Sequence, residues 1–335
     1  MEPKIALIGA GNICRELYRK IIDQGWDVEC IIDIDGVWRG LPKKEKLGEQ
    51  EDYKKYLKGV NLAFIAIPTS EDGQTAFEYI KNCLEYNISV VICEKGALSN
   101  HFTDLEKDLR EGKIGYSATV GGGTRLLRYI EERAGPQVQE IHAVVNGTIN
   151  YILDAISNGR SLEEAVNEAI KLGYTEPGTN SPIEIINQEI TGDIKMKSAI
   201  LFNICNLTKE RIKASDLKPD KIKSYELERL NESCQNRRYI ISFTKKSNDQ
   251  ENIMWGFRYH IGEWYISAGF KRIKDNPLFE KLVHSGVNNA ILISEENSGQ
   301  DETYVLSGPG AGPGPTTTSM IIDAKNILKN TTLRN

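Results

Sequence analysis

The sequence predicts an α/β fold, in which a doubly wound parallel sheet is joined to an α+β domain with a mostly antiparallel open sheet. Four short apolar runs alternate with segments of helical spacing in the first third, at Lys4–Gly9, Val28–Asp33, Asn61–Pro68 and Ile88–Cys93. Strands separated by helices are typical of βαβ units, whose sheet is parallel and covered on both faces. After Arg238 the apolar runs are short and alternating, which favours antiparallel strands with helices on one face.

The individual elements follow from the spacing of the apolar residues. In the first third, helices are predicted directly after Gly11, at Gly73–Tyr86 and at Asp104–Glu111. A strand from Val138 then leads into helices at Asn150–Asn158, Ser161–Leu172, Asp193–Leu207 and Tyr225–Cys234. The later strands are predicted in YIISFTKK, IMWGFRYH, EWYISAGF, NNAILISEE and ETYVLSG.

The composition excludes several classes of protein. A chain of 335 residues is long enough for two domains with separate cores. The formal net charge is −5 and Lys and Arg are scattered, so no nucleic-acid partner is expected. No apolar run approaches the roughly 18 residues of a membrane span, and Met1-Glu2-Pro3 leads directly into a strand without a signal peptide. We therefore expect a cytoplasmic protein that acts on small molecules.

The six cysteines are expected to be buried, reduced thiols. They share no Cys-x-x-Cys spacing, and none of the four histidines lies at ligand spacing from one of them, so a zinc site is not expected. Their positions are Cys14, Cys30, Cys83, Cys93, Cys205 and Cys234.

The segment IALIGAGNICRELY follows a predicted strand and opens a predicted helix, which is the context of a dinucleotide-binding fingerprint. Gly9 allows the tight turn, and Gly11 lets the backbone approach a pyrophosphate at the helix N-terminus, next to Asn12 and Ile13. The third glycine position holds Cys14, which is small but weakens the motif. The alternative is an ordinary turn between a strand and a helix.

Two further features favour a Rossmann-type nucleotide site. Asp33 ends the second strand, 22 residues after the second glycine, where a carboxylate accepts hydrogen bonds from the adenine ribose. Pro68 and Thr69 end the next strand at its carboxyl edge, where open α/β sheets bind ligands. Asp33 favours NAD by repelling a 2′-phosphate, whereas Arg39 and Lys43 could compensate for one. The sequence thus leaves NAD and NADP both open.

Asp193 and Lys197 stand one helical turn apart in GDIKMKSAILFNIC. At about 100° per residue they fall on an otherwise apolar face, and Lys195 points the other way. The apolar residues of that face are Ile194, Met196, Ile200, Leu201 and Ile204. A charged pair that faces the interior loses hydration and so indicates a chemical role, although most such pairs are solvated ion pairs. Here the pair suits proton transfer to a small carbonyl substrate beside a nicotinamide.

Six segments, taken in order, are similar to those of homoserine dehydrogenases: ICEKGALS, YSATVGGGTRLLRYI, VVNGTINYIL, LGYTEP, GDIKMK and GPGAGPGPTTTSM. The resemblance runs from Ile5 to the C-terminal helix and implies the short form, without a fused aspartate kinase or a C-terminal regulatory domain. It implies interconversion of L-homoserine and L-aspartate-4-semialdehyde with NAD(P)H, in threonine and methionine biosynthesis, by a homodimer. The domains are expected to be 1–130, completed by 307–335, for the dinucleotide and 131–306 for substrate and dimerisation.

The same resemblance implies catalytic roles. Lys197 matches the lysine at the reacting oxygen, and Asp193 matches the aspartate that binds the substrate and orients its hydroxyl. Glu176 matches the glutamate that binds the substrate's amino group. Lys95 matches a second lysine, which lies between nicotinamide and substrate.

The resemblance also implies two binding loops. The loop with Gly147 and Thr148 is expected to line the substrate pocket, and Gly308 matches a loop that closes over the cofactor. After that loop, Thr316, Thr317 and Thr318 are expected to cap a helix near an anion.

Three features depart from the family pattern. The stretch from Glu176 to Asp193 spans 17 residues and leaves Glu184 and Glu189 as candidates for a second substrate carboxylate. Ser117 stands where many members have a glutamate that helps to hold a monovalent cation. The remaining candidate ligands are carbonyls around Val120 and Gly122, which support a sodium site only weakly. Finally, Thr124-Arg125 replaces an apolar-proline pair after the three glycines, and Arg125 could meet the substrate carboxylate or a dimer partner.

Three other functions stay open from the sequence. An acylating semialdehyde dehydrogenase would need a nucleophilic cysteine, and Cys93 is the one near the expected site. A non-catalytic dinucleotide-binding relative would bind the cofactor without turnover. A dehydrogenase of another small amino-acid semialdehyde would share the reaction but not the substrate.

Overall fold

The computed structural model describes residues 2–175, 181–226, 237–245, 253–273, 288–297, 300–310 and 312–334. The chain forms two compact units. The first unit consists of Met1–Arg125 and Gly312–Asn335, and the second consists of Leu126–Ala311. The second unit is therefore inserted between two parts of the first.

The first unit is built on a seven-stranded sheet in the order β4-β3-β2-β1-β5-β6-β7. The strands are β1 Lys4–Ile8, β2 Asp27–Asp33, β3 Gly36–Arg39, β4 Glu45–Gly48, β5 Leu62–Ile65, β6 Ser89–Ile92 and β7 Ile114–Gly115. Neighbouring strands are parallel along the part β2-β1-β5-β6-β7 of this order. Strands β3 and β4 extend the sheet beyond β2 with antiparallel pairs. The Rossmann-type parallel sheet is thus confirmed, with an antiparallel extension that the sequence analysis did not predict.

The α-helices in the described part of the first unit are α1 Asn12–Asp23, α2 Gln74–Glu85, α3 Gly96–Arg110 and the last helix, α9 Pro313–Arg334. The helix α9 places Met320, Ile321, Ala324 and Ile327 in the same buried cluster as Leu17 and Ile21 of α1 and core residues of the sheet. Helix α3 begins at Gly96, well before the predicted start at Asp104.

The second unit is built on a six-stranded, fully antiparallel sheet in the order β10-β11-β9-β8-β12-β13. Its strands are β8 Val138–Val144, β9 Arg237–Thr244, β10 Met254–Ile261, β11 Trp264–Arg272, β12 Asn288–Asn297 and β13 Gln300–Pro309. The expected antiparallel open sheet is confirmed.

The helices of the second unit are α4 Leu126–Arg133, α5 Gly147–Ser157, α6 Leu162–Lys171, α7 Pro182–Gln188 and α8 Lys195–Cys205. Between α7 and α8 the chain makes a π-helical turn over Glu189–Ile194. Helix α6 starts with a capping box, in which Ser161 and Glu164 exchange hydrogen bonds with each other's backbone N–H. Most of the helix predicted at Tyr225–Cys234 lies outside the described residues, and Ser224–Glu226 is a 3₁₀ turn.

Candidate functional site

The turn after β1 has the geometry that a bound pyrophosphate requires. Gly9 has φ +109°, and a Cβ there would lie 2.4 Å from the Ala66 carbonyl oxygen, so only glycine fits. At Gly11, by contrast, a Cβ would meet no described atom within 4 Å. Helix α1 starts at this open point, with no acidic residue in its first turn and no described side chain capping it. Gly11 and Asn12 are exposed and Ile13 is half-buried, so the start of this helix is accessible to an anion.

The cysteine at the third fingerprint position packs inside the first unit. The Cys14 side chain is fully buried, and its sulfur lies 3.8 Å from the carbonyl oxygens of Ile8 and Ala66. Burial raises the pKa of the Cys14 thiol far above its usual range. In the fingerprint, the third glycine allows the helix to pack closely on the sheet. The small Cys14 side chain fits into that contact here.

Asp33 lies at the carboxyl end of β2, but its carboxylate is not alone. The Lys43 ammonium lies 2.6 Å from Asp33 and 2.5 Å from Asp35. Burial lowers the pKa of Lys43, but the hydrogen bonds and charges of the two carboxylates outweigh burial and raise it. Arg39 is exposed and forms an ion pair with Glu45 at 2.9 Å. Asp33 thus carries a positive partner at the place where a ribose would bind.

The carboxyl ends of β5 and β6 meet at the same edge of the first sheet. Pro68 and Thr69 are exposed there, whereas the Glu94 carboxylate after β6 is buried. Lys95 follows Glu94 and immediately precedes α3. The structure therefore brings Thr69 and Lys95 to one edge. Glu94, which the sequence did not single out, accepts hydrogen bonds there from the N–H groups of Gly96 and Ala97.

In the second unit, Asp193 and Lys197 form the predicted ion pair. The distance from Lys197 Nζ to Asp193 Oδ2 is 2.7 Å, and Nζ also donates to the Val145 carbonyl oxygen at 2.6 Å. The two side chains are 13% and 18% exposed, so the pair lies in a partly open site. Asp193 lies in the π-helical turn, two residues before the regular helix α8 begins.

The Asp193 and Lys197 side chains are largely buried, but the prediction that Lys195 points away from the interior was wrong. Helix α8 is buried on nearly every side, and Lys195, which we expected to point outward, is only 9% exposed. Asp193 and Lys197 are instead more open than their neighbours. The helical period alone could not show this, because a helix enclosed on all sides has no polar outer face to identify.

Asn146 joins the acidic residues of this site. Its side-chain nitrogen donates to Glu189 Oε2 at 2.6 Å and to Asp193 Oδ2 at 2.8 Å, while its side-chain oxygen caps α5 by accepting from Ile149 N. Of the two candidates for a second carboxylate, Glu189 therefore lies in the site, whereas Glu184 is exposed. The sequence analysis missed Asn146, whose N-cap position before a helix was the available signal.

The loop with Gly147 and Thr148 forms the start of α5. The Thr148 hydroxyl donates to the Tyr174 carbonyl oxygen at 2.5 Å, and the rings of Tyr151 and Tyr174 pack edge to face at 5.2 Å. These contacts join the NGTINY and YTEP motifs. Glu176 itself lies outside the described residues.

The C-terminal glycine loop differs from its prediction. Gly308 lies in β13, where it pairs with Asn289 of β12, and not in a loop. Thr316, Thr317 and Thr318 lie inside the first turns of α9, and the hydroxyls of Thr317 and Thr318 donate to carbonyls of their own helix. The expected threonine cap was therefore wrong, because these hydroxyls are occupied by the preceding turn.

The residues around Ser117 do not fit a monovalent cation. The Ser117 hydroxyl donates to the buried Asp323 carboxylate at 2.8 Å, and the Gly122 carbonyl accepts a hydrogen bond from Ser319 at 2.7 Å. Arg125 reaches the same carboxylate of Asp323 at 3.4 Å. Arg125 therefore serves a contact inside the first unit, where its own positive charge meets the carboxylate. In the part of the chain that the structure describes, no three His, Cys, Asp or Glu side chains are grouped as metal ligands.

Cys93 lacks the properties of a nucleophile. Burial raises the pKa of its thiol to about 12, and the sulfur faces the Ile65 carbonyl oxygen at 3.9 Å. A thiol attacks as its thiolate, which is scarce at neutral pH when the pKa is so high. The acylating alternative is therefore disfavoured.

No helix among the described residues is both long and apolar enough to span a membrane.

Comparison with known proteins identifies two regions. A homoserine dehydrogenase family model matches residues 126–324, more than half of the chain. A model described as an oxidoreductase family with an NAD-binding Rossmann fold matches residues 3–105. Among curated relatives, a homoserine dehydrogenase of Pyrococcus horikoshii is 28% identical with 100% of both chains covered. The NAD(+)-dependent homoserine dehydrogenase of Pseudomonas canavaninivorans is 26% identical, covering 78% of this chain and 68% of its own.

Solved structures share the fold. The homoserine dehydrogenase of Thermoplasma acidophilum has a TM-score of 0.72 at 20% identity, covering 98% of this chain and 100% of that one. A hyperthermophilic archaeal homoserine dehydrogenase in complex with NADPH has a TM-score of 0.70 at 22% identity, covering 98% of each chain.

Proposed function

Because the chain belongs to the homoserine dehydrogenase family, we propose that Lys197 exchanges the proton in its NAD(P)-dependent interconversion of L-homoserine and L-aspartate-4-semialdehyde. The observation that carries this proposal is how the ammonium is held. Val145 and Asp193 accept hydrogen bonds at 2.6 and 2.7 Å, so the described residues use two of its three N–H donors. The third donor is left for a substrate oxygen.

The chemistry of the reaction fits such a donor. When bound, NAD(P)H supplies the hydride that adds to the aldehyde carbon, and negative charge develops on the oxygen. Lys197 stabilises that charge and gives its proton to the oxygen, so that a hydroxyl forms. In the opposite direction, the neutral amine of Lys197 accepts the hydroxyl proton. Asp193 keeps the ammonium oriented through its hydrogen bond.

We propose that Glu189 is the second substrate carboxylate. Its oxygen lies 2.6 Å from the same Asn146 nitrogen that holds Asp193, so two carboxylates converge on one amide. Two negative groups beside a lysine suit the α-ammonium of an amino acid. Glu176 and the loop of Gly147 and Thr148 are further proposed substrate contacts, because they match the family motifs.

The first unit provides the residues that would hold the dinucleotide. The open N-terminus of α1 suits the pyrophosphate, with Gly9, Gly11, Asn12 and Ile13 forming its turn. Thr69, Pro68 and Lys95 are proposed to contact the cofactor further along the sheet edge. Gly308 matches the family motif and is a further proposed cofactor contact, from strand β13.

Lys43 is proposed to decide the cofactor preference. Asp33 alone would repel the 2′-phosphate of NADP, but its partner Lys43 offsets that charge and offers an ammonium. We therefore propose that both NAD and NADP are accepted. Arg39 is a weaker candidate, because Glu45 already holds it.

The family resemblance also supports a cytoplasmic homodimer. This assembly and location are part of the proposal, and sedimentation or light scattering of the purified chain tests the former.

The experiment that tests the proposed function is an assay of homoserine oxidation with NAD and with NADP, followed at 340 nm. The wild-type chain should reduce a dinucleotide only when homoserine is present, and Lys197→Ala should abolish turnover while still binding the dinucleotide. A non-catalytic relative would bind the dinucleotide without turnover. Activity on another semialdehyde, with none on homoserine, would indicate the alternative substrate.

A further inference from the structure

The Lys43 ammonium is shared between Asp33 and a second carboxylate, that of Asp35. Asp35 lies in the two-residue turn between β2 and β3. The Lys43 nitrogen lies 2.5 Å from Asp35 Oδ1 and 2.6 Å from Asp33 Oδ2. The two carboxylates thus use two of the three N–H donors of the ammonium. At the place proposed for the adenine ribose, the cation is therefore held by two anions.

Trp38 of β3 contacts both members of the second ion pair. Its indole N–H donates to Asp35 Oδ1 at 3.0 Å, and the Lys43 nitrogen lies 5.4 Å from the centre of its ring. The Trp38 side chain packs against the buried core of the first unit. Most surface ion pairs contribute little, because both long side chains are free to move. Here the same Asp35 oxygen accepts from Lys43 and from a ring that the core keeps in place.

The charges of this group favour a cofactor without a 2′-phosphate. Asp33 and Asp35 carry two negative charges and Lys43 carries one positive charge, so their sum is −1. The hydrogen bond from Lys43 lowers the pKa of Asp35, so its carboxylate stays charged at neutral pH. A phosphomonoester such as the 2′-phosphate of NADP carries about −1.5 to −2 at that pH, whereas the ribose of NAD is uncharged. The phosphate has to compete with Asp35 for the ammonium.

We propose, on the basis of the dinucleotide site proposed above, that Asp35 is a specificity-determining residue, which holds Lys43 back from the 2′-phosphate and so favours NAD over NADP. NADP is still accepted, but more weakly than NAD. Asp35 acts through Lys43 and needs no contact of its own with the cofactor. Without the Asp35 charge, the group is neutral and one more N–H donor of Lys43 is available to the phosphate.

The test measures the Kd of NADH and of NADPH by fluorescence titration in the absence of homoserine. Asp35→Asn keeps the size of the side chain and removes its charge. The Kd of NADPH should therefore fall about tenfold, while the Kd of NADH stays within about twofold. Because Asp35 acts through the ammonium, the same change made in a Lys43→Met background should give no such gain. The gain should also shrink at high ionic strength, since salt screens exposed charges.

Glu111→Gln is the matched control. Glu111 is a partly exposed carboxylate 2.7 Å from the Lys113 nitrogen, and it caps the end of α3 that is far from the carboxyl edge of the sheet. Its loss changes the net charge of the chain as Asp35→Asn does, but it should alter neither Kd.

Three results would overturn the role of Asp35. They are an unchanged Kd of NADPH in Asp35→Asn, an equal fall in the Kd of NADH and NADPH, and a gain that persists in the Lys43→Met background. A lower Tm with weaker binding of both cofactors would show that Asp35 serves only the fold, and would overturn it too. These titrations need no turnover. A wild-type chain that does not oxidise homoserine would therefore refute the proposed function, while the two Kd values would still decide the role of Asp35.

Discussion

Replacing Lys197 with methionine removes an ammonium group from the substrate site and retains the length of the side chain. The ammonium hydrogen bonds to Val145 and Asp193 are lost. Asp193 keeps its hydrogen bond from Asn146 at 2.8 Å, so its carboxylate is not left without a partner. The variant therefore tests the proton donor with little rearrangement of the acidic residues.

The two effects of this change differ in size. A general acid contributes roughly 10²–10⁴ in rate, or about 3–5 kcal/mol, so kcat should fall by about 10³. Removing one partner of a fully buried ion pair costs about 3–5 kcal/mol. Lys197 and Asp193 are 13% and 18% exposed, so solvent screening should reduce the loss of folding free energy to about 1–2 kcal/mol. The protein should stay folded.

The assay measures kcat for homoserine oxidation, the Kd of NADPH and the Tm of the same preparation. We expect kcat to fall about 10³-fold, Kd to stay within about twofold, and Tm to fall by about 2–4 °C per kcal/mol lost. Lys195→Met is the matched control, because Lys195 is a buried lysine of the same helix, two residues and about 200° around the helix axis from Lys197. It should lower Tm and leave kcat nearly unchanged. A Lys197→Met enzyme with a third of the wild-type kcat, or with a tenfold weaker Kd, would refute the assigned role.

Three further predictions concern the other residues. Lys43→Met should lower kcat/KM with NADP relative to NAD by about tenfold, since Asp33 then faces the 2′-phosphate without a cation. An unchanged ratio of kcat/KM with NADP to kcat/KM with NAD would exclude Lys43 as the residue that sets the cofactor preference. Asp323→Asn should lower the free energy of unfolding by about 1.5–3 kcal/mol in a urea titration, because it weakens the hydrogen bonds that Ser117 donates to a fully buried carboxylate. With a thiol pKa of about 12, only about 10⁻⁴ of Cys93 should be thiolate at pH 8, and its alkylation by iodoacetamide should accelerate as the pH rises. Mass spectrometry identifies the labelled cysteine. Rapid labelling of Cys93 in the folded chain at pH 8 would contradict its burial.

The elements that the sequence predicted best are those with a strong local signal. The apolar runs predicted the parallel strands. The glycine-rich segment predicted the tight turn at Gly9, whose φ of +109° favours glycine. The pair of Asp193 and Lys197 followed from an i, i+4 spacing, and the ion pair is present. Local patterns of this kind depend on a few neighbouring residues, so they survive without tertiary information.

What could not be predicted depends on contacts distant in the sequence. Asn146 meets Glu189 across 43 residues, and a π-helical turn sets which of the two candidate glutamates enters the site. The environment of α8 was misjudged because enclosure by other elements is a tertiary property. Likewise, the carboxylate that meets Arg125 lies 198 residues further along the chain, so the ion pair had no local signature.

The inserted arrangement of the two units has a consequence for synthesis on the ribosome. The core of the first unit includes Met320 and Ile327 of α9. Ser117 hydrogen-bonds to Asp323, which is synthesised 206 residues later. At about 5–20 residues per second, that interval lasts roughly 10–40 s. During this time the nascent nucleotide unit exposes the apolar groove that α9 later fills. We expect a chaperone that binds exposed apolar surface to bind there. The rate of translation through the second unit would set how long that surface stays exposed.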